Sequence, residues 1–466
     1  MVFSAYIFLF AFLPLVLCAY YALTGRARTW LLLAASTLFY AWWRVDFAAL
    51  MFVTCGIDYA VGLRLESSTD PARRRGWLWL SIVSNLALLG YFKYANFGID
   101  NLNVLLAALG LRETWWPQVV LPVGISFYTF QSMSYTIDVY RRELRAQRDF
   151  VDFASFVTLF PQLVAGPIVR YADVADQLRG RSHTLERFAH GVLLFQLGLA
   201  KKALLADQFA PLADRAFDAS QGGAAIGAAA AWLGVVAYAL QIYFDFSGYS
   251  DMAIGLGRMF GFEFPVNFDS PYKAKSITEF WRRWHITLST WLRDYLYVPL
   301  GGNRGGAGRT YLNLELTMLL GGLWHGASWN FVLWGAWHGS WLALERMLGK
   351  RAFWQRLPGP LGALPTFAIV LIGWVFFRSV DLRGAISHLC ALVGATPVPA
   401  LADLDFSLPV ATLLVLGLAL VFCAPNSQQL LERPRRVVAL AAGLVFVAAL
   451  FHVAAQAYSP FLYFQF

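Results

Sequence analysis

Charge is what this sequence has least of. Of its 466 residues only 14% are Asp, Glu, Lys or Arg, against about 25% in an average soluble domain. No hydrophilic stretch is long enough to hold a separate catalytic domain. These two absences exclude a soluble enzyme, and the apolar content excludes disorder. Cysteine is nearly absent too. Cys18, Cys55, Cys390 and Cys423 stand far apart in apolar segments, with no CxxC pair and no metal-like spacing. They read as buried free thiols. An HExxH zinc motif, a GxSxG nucleophile turn, a P-loop and a dinucleotide fingerprint are all missing. The run Gly301-Gly302-Asn303-Arg304-Gly305-Gly306 resembles a turn, not a phosphate loop.

What is abundant is apolar surface: 58% of residues are hydrophobic and 16% aromatic. Mean hydropathy is +0.54. Such a chain must bury surface in lipid as well as in itself. At about 20 residues per crossing, the length holds roughly a dozen spans. Apolar segments run near 3–23, 30–43, 47–63, 77–97, 119–137, 153–169, 188–206, 228–246, 311–323, 327–347, 364–379, 408–424 and 437–457. The expected fold is an all-α polytopic membrane protein.

The net charge is +9. In a soluble protein this would suggest nucleic acid. Here the cations gather in short loops, at 64–75, 141–148, 170–187, Lys201–Lys202 and 432–436. That pattern follows the positive-inside rule, and no nucleic-acid partner is expected. The first apolar segment lacks a basic leader, and Arg26 and Arg28 follow it. It reads as an uncleaved span with its N-terminus outside. The last basic loop places the C-terminus outside as well.

The stretch 265–310 differs from everything around it, being rich in Trp, Arg, Asp and His. The spacing predicts one helix from Ser276 to Tyr297. Trp281, Trp284, Leu288, Trp291, Leu292 and Tyr295 recur on one face of it. Ionisable groups at membrane depth are expensive and mark function. Of seven histidines, His183, His190, His388 and His452 read as solvated or hydrogen-bonded side chains. Three stand out: His285 in the Trp-rich helix, His325 in Gly321-Gly322-Leu323-Trp324-His325-Gly326, and His338. The alternative for each is a buried ring tied to a backbone carbonyl. His338 shares a helix face with Glu345, seven residues on, and is expected to pair with it. His325 and His338 are thirteen apart and face different sides of a helix, so no metal site is expected.

A histidine base without a metal or a serine partner suits acyl transfer to a hydroxyl. A thioester donor has a good leaving group already. The enzyme need only align donor and acceptor and remove the hydroxyl proton. An ordinary histidine pKa of about 6.5 matches that task. The rival from another class is a transporter with proton-shuttling histidines. It would show paired halves with interrupted helices, and no internal repeat is evident.

At these residues the sequence resembles the membrane-bound O-acyltransferase (MBOAT) family. Within it, the likeness is to the bacterial branch of alginate and peptidoglycan O-acetylation and teichoic-acid D-alanylation. The matching runs are Leu121–Gln131, Tyr243-Phe244-Asp245-Phe246-Ser247-Gly248-Tyr249-Ser250-Asp251, Phe280–Arg304 and Gly322–Gly339. The resemblance implies a single membrane domain over 1–466, a ring of tilted helices around a thin central funnel. It implies that His325 is the membrane-embedded catalytic histidine and His285 the second characteristic polar residue. It implies acetyl-CoA as donor substrate, with no bound cofactor, and an exported polysaccharide as acceptor. Alginate is the first expectation, with peptidoglycan, cellulose or another glycan as alternatives. The segment 265–310 would line the tunnel, with Trp284, Arg282, Arg283, Trp291, Asp294 and Asn303 meeting the donor. The tail 459–466 ends Phe461-Leu462-Tyr463-Phe464-Gln465-Phe466. This is similar to the terminal tyrosine motif of the short partner protein of D-alanylation. By that likeness Tyr463 relays the acyl group to an extracytoplasmic, esterase-like (SGNH-type) partner; the alternative is an aromatic belt at the membrane surface. The expected location is the bacterial inner membrane, with both termini periplasmic.

Overall fold

The computed structural model describes residues 1–349, 356–395, 407–432, 436–455 and 462. The basic loop expected at 432–436 falls mostly outside them. So does the aromatic tail 459–466, Tyr463 included, except for Leu462. Every regular element among the described residues is helical. Hydrocarbon offers backbone N–H and C=O groups no partner, so each must be satisfied within its own helix. Val45–Ser67, Leu185–Gln221, Ala228–Met259 and Arg436–Ala455 are long and apolar enough to cross a membrane. Ile7–Ala22, Leu364–Arg378 and Leu408–Cys423 are shorter apolar helices. Contacts divide the chain into two compact units, Met1–Val192 with Ala253–Pro265, and Leu193–Met252 with Val266–Phe466.

In the first unit, the helices Val45–Ser67, Pro71–Ala108 and Ile125–Arg141 pack on one another. Asp58 lies fully buried among them. A lone carboxylate there would be costly. Its oxygens accept from Ser81 Oγ at 2.6 Å, from Asn85 Nδ2 at 2.8 Å and from Ser132 Oγ. Ser81 and Thr136 hydroxyls are 2.8 Å apart. Ser81 with Asn85, and Ser132 with Thr136, are four residues apart, so each helix offers both groups from one face. Gly124 caps the third helix at φ +79°, and a Cβ there would stand 2.7 Å from the Leu163 carbonyl oxygen. The segment expected as a span at 153–169 is instead two short buried helices, Phe150–Thr158 and Phe160–Leu163. Leu159 leaves the helical region with ψ 110°. Pro161 then lacks the N–H that a continuous helix needs.

The helix Leu185–Gln221, which belongs to the second unit from Leu193 on, continues through a π-helical stretch at Lys201–Ala206. Lys201 and Lys202 are therefore not loop cations, as their sequence context suggested. Lys202 is buried between Asp207 at 2.7 Å and Asp245 at 2.8 Å, and Lys201 bonds Asp251 at 2.7 Å. The carboxylates neutralise them inside the fold, which removes their topological meaning. Of the four thiols, Cys55 is buried as expected. Cys18, Cys390 and Cys423 are exposed on helix faces, because an apolar helix in lipid need not turn its cysteine inward.

Gly306–His325 and Trp329–Leu348 form a tight helical hairpin. Glycine permits the close approach that membrane helices use in place of a hydrophobic drive. A Cβ at Gly322 would overlap the Phe331 carbonyl oxygen, and one at Gly335 the Met318 carbonyl oxygen. Gly322→Ala is expected to cost about 1–3 kcal/mol by overpacking. The measurement is the thermal midpoint of purified protein in detergent, and an unchanged midpoint would contradict this packing.

Candidate active site

The site is built within the second unit. His325 is the last residue of Gly306–His325, where Gly326 ends the helix. It is 6% exposed. Its ring stands near edge-on to Trp324 at 5.0 Å, and to Trp334 and Phe377 at 5.1 Å each, between centroids. The aromatic box holds the imidazole in one place. The same ring forms part of the wall of a cavity of about 390 Å³. Leu288, Leu292, Leu314 and Met318 make that wall largely apolar, and Arg282 and Arg293 add two guanidinium groups. This volume lies within the roughly 300–1,000 Å³ range of small-molecule pockets.

His285 corrects the expected helix. The run 276–297 is not continuous. It forms Ile277–Arg283, a break, Ile286–Leu292 and a π-helical turn at Arg293–Tyr297. The break is His285 itself, at φ +43°. A non-glycine residue rarely holds such a backbone unless its surroundings impose it. Asn267 imposes it. Its backbone carbonyl accepts from Ile286 N at 2.9 Å. Its Oδ1 accepts from Thr287 Oγ1 at 2.9 Å and lies 3.1 Å from His285 Nδ1. Its Nδ2 donates to Ser250 Oγ at 3.0 Å. Since Asn267 Oδ1 only accepts, Nδ1 of His285 carries the proton and Nε2 the lone pair. The two histidine rings are 6.5 Å apart.

Asn267 was not singled out from the sequence. The available signal was a lone amide in Phe264-Pro265-Val266-Asn267-Phe268, just before the Trp-rich stretch. Among the other expected site residues, Arg282 lines the cavity. Trp284 lies in the aromatic core, 4.9 Å from Trp374 between centroids. Arg283 pairs with Glu279 at 2.9 Å and Asp269 at 3.5 Å. Trp291 packs on Tyr295, Asp294 holds Arg293 at 2.7 Å, and Asn303 accepts from the Tyr297 hydroxyl. These five are not among the cavity's lining residues.

His338 does not pair with Glu345. It lies between Trp281 at 5.2 Å and Trp334 at 5.0 Å. Glu345 instead accepts from Thr278 N at 2.9 Å and Thr278 Oγ1 at 3.0 Å, so it caps the Trp-rich helix. His388 bonds Ser220 at 2.9 Å and stacks on Phe217, and His452 meets Gln208 at 2.7 Å. Both fit the hydrogen-bonded role expected of them. Among the described residues no group of three His, Cys, Asp or Glu is placed to hold a metal ion.

A family model for MBOAT, the membrane-bound O-acyltransferase family, matches residues 37–379. The chain belongs to this family. It is thus a multi-pass membrane O-acyltransferase, and the histidine-walled cavity lies inside the matched region. The chain is 49% identical to a probable alginate O-acetylase AlgI of Pseudomonas putida, over the full length of both. It is 47% identical to that of Azotobacter vinelandii, again over both full lengths. A peptidoglycan O-acetyltransferase of Helicobacter pylori is 35% identical, covering 100% of this chain and 98% of its own.

Proposed function

We propose that this MBOAT member transfers acetyl groups from cytoplasmic acetyl-CoA across the inner membrane towards alginate. The observation that carries the reading is His325 in the wall of an apolar cavity that also presents Arg282 and Arg293. The guanidiniums suit the phosphates of the donor. The apolar wall suits its thioester arm. An acceptor hydroxyl oxygen attacks the thioester carbonyl while His325 takes its proton. The C–S bond breaks, and the proton passes to the departing thiolate. His285 is buried and does not line the cavity; with its ring 6.5 Å from that of His325, it acts by positioning the base. A funnel open to both sides lets the acyl group pass without the carrier. Alginate as polymer rests on the names of full-length relatives at 47% and 49% identity.

Tyr463 is the proposed hydroxyl acceptor, which hands the acetyl group to an esterase-like partner outside, both termini being periplasmic. Supporting this, the preceding residue Leu462 is buried, and its N–H donates to Asp245 Oδ2 at 3.0 Å. Asp245 is itself held by Lys202. The test uses inverted membrane vesicles given radiolabelled acetyl-CoA. Wild-type protein is expected to acquire label, and Tyr463→Phe to acquire none while still binding donor. No label in the wild type would reject the transferase reading. Undiminished polymer acetylation by Tyr463→Phe would reject the relay alone.

A further inference from the structure

The first unit contains a second cavity that the acyl-transfer reading does not use. It measures about 400 Å³ and is lined by Arg26, Arg28, Arg179, Arg181 and His183, with Asp152 as its carboxylate. Two stretches far apart in sequence meet here, the start of Arg26–Ala41 and the loop before Leu185–Ala200. Two of the four arginines are accounted for. Arg26 bonds Asp149, and Arg179 reaches Gln147 at 3.0 Å and Asp152 at 4.0 Å.

Arg28 and Arg181 have no carboxylate within ion-pair distance among the described residues. Arg28 Nε donates to the carbonyls of Tyr20 at 3.0 Å and Leu23 at 2.8 Å. Arg181 Nη2 donates to Thr29 Oγ1 at 2.7 Å. Its Nη1 is buried and meets no hydrogen-bond acceptor. Both guanidiniums lie over the same Tyr20 ring, 5.0 and 5.7 Å from its centroid. A ring face attracts cations, yet it does not cancel two like charges held side by side.

His183 does not add a third charge. The Tyr20 hydroxyl donates to the Phe260 carbonyl at 2.7 Å, so it accepts from His183 Nε2 at 2.9 Å. That leaves Nδ1 as a lone pair, 3.4 Å from Arg28 Nη1. Burial first, then the neighbouring Arg28 and Arg181, hold this histidine below its ordinary pKa, which keeps it neutral. The result is a fixed pair of guanidiniums, neither in an ion pair among the described residues, facing a cavity whose one lining carboxylate is Asp152. Guanidinium forks match phosphate oxygens two at a time. Both contributing stretches are basic segments at helix ends, of the kind that face the cytoplasm, where anionic headgroups and soluble phosphates are found.

We propose that this cavity is an anion site that takes a phosphate group between Arg28 and Arg181. The group belongs either to an anionic phospholipid headgroup or to a soluble phosphate compound. The test follows the thermal midpoint of the full-length protein in phosphatidylcholine nanodiscs. One arm adds pyrophosphate at constant ionic strength. The other replaces part of the phosphatidylcholine with phosphatidylglycerol. A ligand that binds only the folded state raises the midpoint saturably, here by on the order of 2 °C. A rise in the pyrophosphate arm supports a soluble ligand, and a rise confined to the phosphatidylglycerol arm a headgroup. Arg28→Gln with Arg181→Gln is expected to abolish the rise. Arg73→Gln, at an exposed arginine outside the cavity, is expected to keep it. A flat or non-saturating wild-type response in both arms overturns the site even if the double variant fails to fold. An undiminished rise in the folded double variant overturns it too.

Discussion

His325→Ala is expected to lower acetyl transfer by about 10²–10⁴-fold, the usual contribution of a positioned general base, while the protein still inserts and folds. The geometry supplies the reason. Trp324, Trp334 and Phe377 surround this ring at 5.0–5.1 Å. They fix its place and bring no competing acid or base. The ring is also in the cavity wall, whereas His338 is enclosed by Trp281 and Trp334 and does not line the cavity. His325→Gln is the sharper variant, because it keeps size and hydrogen bonding but cannot take a proton at neutral pH. Initial rates with labelled acetyl-CoA decide the matter. A His325→Gln enzyme with wild-type turnover would remove the base from the mechanism.

The second large effect is expected at a residue with no chemistry of its own. Asn267→Ala removes the acceptor for His285 Nδ1 and for Thr287 Oγ1, and the donor to Ser250. Without that acceptor the imidazole is held less firmly in one orientation and one tautomer. A misplacement of about 1 Å at a reacting group can cost on the order of 10²-fold, and kcat is the parameter that should carry the loss. The side chains of His285, Thr287 and Ser250 each lose a hydrogen bond to Asn267 as well, at about 0.5–1.5 kcal/mol each. Asn267→Asp separates the two effects. Its carboxylate still accepts from His285, and the Ser250 hydroxyl can turn to donate. Turnover should therefore recover substantially in Asn267→Asp relative to Asn267→Ala. Equal turnover in the two variants would mean that Asn267 serves stability alone.

Periodicity located most helices because apolar runs at membrane length have few alternatives. It erred where local geometry departs from a continuous helix. The segment 153–169 is as apolar as a span, yet Leu159 and Pro161 break it, and protein rather than lipid covers both halves. The Trp-rich run has a good helical stripe on either side of His285, and the interruption depends on Asn267, eighteen residues earlier. No window along the chain contains that information. The same holds for Lys201 and Lys202, which look like topological markers until Asp251, Asp207 and Asp245 are brought beside them.

An all-helical membrane protein followed from composition and pattern, since long continuous apolar runs satisfy their backbone in lipid as helices, whereas a barrel would need short alternating strands. His325 was conspicuous for the same reason, as a titratable ring where titratable rings are costly. Which histidine lines a cavity, which one is shut among tryptophans, and which proton His285 carries were decided by long-range contacts. Those depend on where distant segments meet in space, and burial and hydrogen-bond direction exist only once they have met.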